Sequence, residues 1–148
     1  MKWIKIISII AIAIIIFFGG YFTGSINNNE ASMEIRIGYK NSNNPDQIDY
    51  STIFTNIENQ DIVDNFIMIY LQKERIMNAN PDTENPDIYI DVISPKRSVG
   101  LIDSKVWFTN EGAIIGKRSG ESWDEIEYYK IDKEDANSIK ENIDYKES

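Results

Sequence analysis

Residues 106–131 read VWFTNEGAIIGKRSGESWDEIEYYKI, a pattern of alternating strands and short turns. Val106 and Phe108 point to one side of an extended chain and Trp107 to the other. Asn110-Glu111-Gly112 is a short hairpin loop, with glycine available for a left-handed position. Ala113 to Lys117 returns as a strand. Arg118 to Asp124 (RSGESWD) is a second loop, and Glu125 to Ile131 is the last strand. Strands joined by such short loops pair antiparallel.

The same pattern extends outward on both sides. From Asp87 onward, Ile88, Ile90 and Val92 line one face of a strand. Ser94-Pro95-Lys96-Arg97 is a turn with proline second, and a strand or two follows through Val99–Thr109. Beyond Ile131, Asp132 caps a C-terminal helix whose Ala136, Ile139 and Ile143 share one face. Upstream, Met33, Ile35, Ile37 and Tyr39 alternate with polar residues, as in a half-buried strand. Ile48 to Ile57 is ambiguous. As a second short strand it offers Ile53, Phe54 and Ile57 as core contacts. Glu58 to Met77 is expected to be helical. Asn59 is its N-cap, Ile62, Phe66, Ile69, Tyr70 and Met77 form one face, and Lys73 and Arg75 sit near its negative end. The three Asn-Pro pairs fall in loops, because the residue before proline is pushed out of the α region. The expected fold is α+β: a mostly antiparallel sheet of four to six strands packed on two helices, preceded by one N-terminal transmembrane helix.

That helix comes from the run IISIIAIAIIIFF, Ile6 to Phe18. Its eight isoleucines and two phenylalanines contribute about −3 to −6 kcal/mol to membrane insertion. Lys2 and Lys5 precede the run, and no Lys or Arg follows until Arg36. Positive residues stay on the cytoplasmic side, so the C-terminal part is expected outside. Trp3 and Tyr21 fall where rings favour the interface. A retained anchor is expected over a cleaved signal peptide, although Thr23, Gly24 and Ser25 offer a cleavage site. The organisation is thus residues 1–24 as anchor or signal peptide, 25–32 as a polar spacer, and 33–145 as the extracytoplasmic domain. That domain is expected to fold without the anchor or a metal.

The chain has 148 residues, no cysteine and no histidine. Disulfides, thiolate metal sites and thiol nucleophiles are excluded, and so is the commonest general base near neutral pH. The formal net charge is −9. Lys2 and Lys5 are the only charged side chains before residue 27, so the remaining 13 basic and 24 acidic residues leave −11 beyond it. Phosphate backbones attract Lys and Arg, so nucleic acid is not an expected partner.

The order of elements from Met33 on resembles the YhfM-like domain found in uncharacterised Firmicute lipoproteins and membrane-anchored proteins. The resemblance covers about residues 33–143. It rests on Pro86-Asp87-Ile88-Tyr89-Ile90 opening a strand after a helix and on Val106-Trp107-Phe108 before a turn. Gly112-Ala113-Ile114-Ile115 follows, and Tyr128-Tyr129-Lys130-Ile131 runs into the cap at Asp132. It implies an extracytoplasmic domain of a Gram-positive envelope, with no catalytic residues to carry over. This chain departs from that pattern in lacking the lipidated cysteine, whose tethering a retained helix would replace.

Candidate sites are few. Asp82, Glu84 and Asp87 crowd the loop NPDTENPD but do not follow the EF-hand spacing, and they read as a solvated acidic loop. Trp107, Trp123, Tyr128 and Tyr129 are the candidate binding surface for a glycan or peptide. Trp107 is expected to be covered or partly covered, because two helices have material to shield both sheet faces. Among the many acids no pair stands out as a catalytic couple. No catalytic, cofactor or metal site is expected, and no enzymatic activity. The expected role is a membrane-tethered accessory or binding domain. The alternatives are an immunity-type protein neutralising a basic toxin or enzyme at the membrane and, less favoured, a cell-envelope hydrolase. Expected partners are the membrane itself, through the N-terminal helix, and a basic protein or envelope component.

Overall fold

A computed structural model describes residues 2–28 and 30–146. The chain divides into two compact units, 1–31 and 32–148. The first is helix α1, Lys2–Asn28. Its described side chains are all exposed, including Trp3, Ile15 and Phe17. The side chains at 2, 4–6, 9 and 25–28, with the positive flank of Lys2 and Lys5, lie outside the described residues. Among the described residues no helix is long and apolar enough to cross a membrane.

The second unit is α+β. Its strands are β1 (Glu34–Lys40), β2 (Ile48–Thr55), β3 (Glu74–Arg75), β4 (Ile88–Ser94), β5 (Val99–Thr109), β6 (Gly112–Arg118) and β7 (Ile126–Ile131). They form one seven-stranded sheet in the order β2-β1-β4-β5-β6-β7-β3, and every neighbouring pair is antiparallel. Helices α2 (Gln60–Gln72) and α3 (Lys133–Asn142) complete the unit. The sheet exceeds the four to six strands expected because β3, only two residues long, adds a far edge that no periodicity announces.

Strand alternation builds the core. Ile35 and Ile37 of β1, Ile88, Ile90 and Val92 of β4, Val106 of β5 and Ile115 of β6 are all buried on one face. Val63, Phe66, Ile69 and Tyr70 of α2 and Ala136 and Ile139 of α3 close over them. Both helices therefore cover the same face. Asp132 accepts from the Asp135 N–H at 2.9 Å and so caps α3, as its side-chain chemistry dictates.

Three expectations need correction. Helix α2 stops at Gln72 rather than Met77. Lys73 turns extended and donates from Nζ to the Tyr70 carbonyl at 2.7 Å. Glu74 and Arg75 then pair with Lys130 and Tyr129 of β7, leaving Met77 exposed and Val63 in the core. Asn59 precedes α2 without a side-chain cap, while Thr55 Oγ1 accepts from the Glu58 N–H. Ile53 and Ile57 are about half exposed, and only Phe54 of that trio is buried. Adjacent strand residues face opposite ways, so Phe54 inward sends Ile53 outward, and Ile57 lies past the strand end.

Gly112 sets the β5–β6 turn. Its φ is +149°, and a Cβ there would lie 2.1 Å from the Ile131 carbonyl oxygen. Only glycine fits both the dihedral and the space.

Candidate functional site

The face opposite the helices carries Tyr89 and Asp91 of β4, Asp103, Lys105 and Trp107 of β5, Arg118 of β6 and Tyr128 of β7, by the alternation that buries their neighbours. Loops cover this face. Trp107 is only 7% exposed. Its Nε1 donates to the Asp82 carbonyl at 2.7 Å, so the loop between β3 and β4 shields it. Lys105 Nζ donates to the Thr83 carbonyl at 2.9 Å and Lys40 Nζ to that of Glu84 at 3.1 Å, tying down the same loop. Gly116 leaves room for the indole, since a Cβ there would sit 3.0 Å from its Cζ3. Trp107 is thus covered as expected, but by a loop rather than by a helix.

Beside Trp107 lies a recess of about 700 Å³, lined among others by Lys40, Tyr89, Lys105, Trp123, Ile126 and Tyr128. Trp123, on the β6–β7 loop, is half-buried. Lys105 Nζ stands 4.5 Å from the centre of its ring and the Arg118 guanidinium 5.8 Å. Tyr128 packs against Trp107 at 6.3 Å between ring centres. Burial lowers the pKa of the Lys105 ammonium and raises that of the Tyr89 hydroxyl. The structure thus brings together Trp107, Trp123 and Tyr128. It separates Tyr129, whose ring lies on the helix side under Lys73 at 4.3 Å and whose hydroxyl donates to Glu127. Lys40, Tyr89 and Lys105 were not anticipated. The alternation of Ile88 and Ile90 already placed Tyr89 on this face, but loop positions gave no signal.

An acid pair shares the face. Asp91 and Asp103 are direct cross-strand partners. Arg118 Nη2 lies 2.7 Å from Asp103 Oδ2. Burial, and then the Asp91 carboxylate, push the Asp103 carboxyl up to about 6 against the pull of Arg118. Asp91 Oδ1 is buried without a hydrogen-bond partner. Neither acid lines the recess beside Trp123. A larger hollow of about 790 Å³ near β3 is bordered by Glu74, Glu111, Lys130 and Asp132, and Lys130 pairs with Glu74 at 2.9 Å.

The 82–87 acids serve the loop. Asp82 Oδ1 and Oδ2 accept from the Glu84 N–H and the Asn85 amide. Asp87 accepts from the Phe108 N–H at 2.6 Å and the Tyr145 hydroxyl at 3.0 Å. Among the described residues no group of three or more acids is placed to hold a metal ion. Chemically, the recess offers ring faces, ammonium groups and carboxylates, the equipment for holding a polar ligand.

Comparison with protein-family models, curated proteins and solved structures returns no match.

Proposed function

We propose that the chain is a single-pass, membrane-tethered accessory or binding domain that faces outward from the cell membrane and has no catalytic role of its own. One observation carries the tether: an apolar run flanked by Lys2 and Lys5 on one side and followed by no Lys or Arg before Arg36. The composition of that run, IISIIAIAIIIFF, favours it, because a helix apolar all round needs lipid or protein around it. Binding is favoured by the recess, where Trp123 and Tyr128 present aromatic surface beside Lys40 and Lys105. On this reading the domain is of the kind the YhfM-like resemblance implies. Protease added to intact protoplasts should digest residues beyond about 30 and leave a short membrane-bound stub. Protection of the domain until the membrane is permeabilised would reverse the topology.

A second reading is an immunity-type protein that neutralises a basic toxin or enzyme at the membrane. The net −11 beyond residue 26 favours it. Capture of one cationic protein from cross-linked intact cells, lost at high salt, would select it over an envelope-component binder.

A further inference from the structure

The two edges of the sheet differ. Beyond β7 lies β3, two residues whose side chains are both ion-paired, Glu74 to Lys130 and Arg75 to Glu127. A short charged edge of this kind resists further pairing. At the other end β2 pairs with β1 on one side and, among the described residues, with no strand on the other. It is eight residues long, IDYSTIFT, and contains no Lys, Arg or Pro. The Thr55 carbonyl accepts from the Asn59 N–H at 2.8 Å; the other outward backbone N–H and C=O groups offer a ladder to another strand. A register shift opposite Ile37 and Gly38 interrupts it once, and the run 52–55 beyond that shift is regular. Ile53 is 51% exposed on this strand and Ile57 54% just after it.

The charge along the segment that carries β2 has one sign. Residues 41–72 hold Asp46, Asp49, Glu58, Asp61 and Asp64 and not one Lys or Arg. Of the basic residues of neighbouring β1, Arg36 stands opposite Ile53 but is neutralised by its pair with Glu34, and Lys40 reaches the Glu84 carbonyl. A second copy of this chain would bring the same five acids against themselves, so like charge opposes self-pairing.

We propose that β2 is a docking edge that takes an extended, basic segment of a partner protein as an eighth strand. Backbone hydrogen bonds would supply affinity, Ile53 and Ile57 the apolar contact, and the acids between 46 and 64 the preference for cationic side chains. The proposal rests on reading the chain as a binding domain but not on which side of the membrane it faces.

The test uses the full chain in micelles of a neutral detergent and a nine-residue amidated peptide of alternating lysine and valine. Binding should slow hydrogen exchange of amides within 48–55 and weaken as salt rises. The same peptide with every second amide N-methylated keeps its charge and loses the ladder, so it should bind at least tenfold more weakly. A glutamate–valine peptide should not bind. Ile53→Lys places a charge on the edge and should also cost at least tenfold, with the melting temperature unchanged. Equal binding of the N-methylated peptide would reduce the effect to charge alone and overturn the proposal. So would an absence of binding, protection confined to the recess beside Trp123, or self-association of the chain through 48–55. The protoplast experiment reads topology alone, so the two ideas fail separately.

Discussion

Trp107 stands on the face opposite α2 and α3, yet its indole is enclosed by Gly116, Tyr128 and the Asp82 carbonyl. Trp107→Ala should therefore open a cavity, release the loop, and cost about 3–5 kcal/mol. A denaturation midpoint that did not move would show the ring to be dispensable for folding. The acid pair gives a second expectation at this scale. Around Asp103 and Asp91 stand Arg36 of β1, Tyr50 of β2, Lys105 of β5 and Arg118 of β6. The folded pKa of Asp103 is raised, so the stability linked to its proton is fully present below the unfolded value near 4 and is lost as pH rises through about 6. With Asp103 partly open to solvent, the loss between pH 4 and 7.5 is about 1–2 kcal/mol. Asp91→Asn removes the like charge and should flatten that slope. Denaturation curves at several pH values for both proteins check this, and parallel slopes would remove Asp91 from the account. Sequence alternation alone sends Trp107 away from Val106 and Phe108. The pairing of Asp91 with Asp103 requires a strand register that no local pattern encodes.

At the scale of elements, α2 is pinned as well as packed. Tyr70 and Ser104 share a buried hydrogen bond of 2.5 Å between hydroxyls, and Ser104 Oγ also donates to the Ile90 carbonyl at 3.0 Å. The two truncations should differ. Ser104→Ala strands the Tyr70 hydroxyl in the core and should cost about 1–3 kcal/mol, whereas Tyr70→Phe leaves Ser104 bonded to Ile90 and should cost about 1 kcal/mol. Urea unfolding of both variants measures the difference; equal losses would mean that the helix is held by packing alone. Elements with their own period were legible: β1, β4, the β5–β6 hairpin and α3 each carry alternation, a turn glycine or a cap. The end of α2 was not. Residues 73–77 are good helix formers by propensity, and a strand pairing with β7 overrides them. For the same reason β3 could not be seen. Two residues have no periodicity, and their partner lies far along the chain.

Across the whole molecule, charge and hydropathy were readable without coordinates, while the distribution of layers was not. Both helices lie on one side, so the other face has to be finished by loops, and that is where the aromatic recess forms. The sheet order has one more consequence. Strands β4 to β7 follow one another as neighbours, so their pairings close short loops. Strand β1 sits between β2 and β4, and its partners in β4 lie 51 to 59 residues away. Closing that distance costs loop entropy before any contact repays it. The meander should therefore form early and the β1–β2 hairpin join late. Val106→Ala should then slow refolding, whereas Ile35→Ala should mainly hasten unfolding, as read from the two arms of a denaturant chevron. During synthesis at ~5–20 residues per second, the hairpin waits about 2–8 s for β4 to appear. Through that interval Ile35 and Ile37 have no sheet to enter, so the growing chain is most exposed to mispairing before its centre has been made.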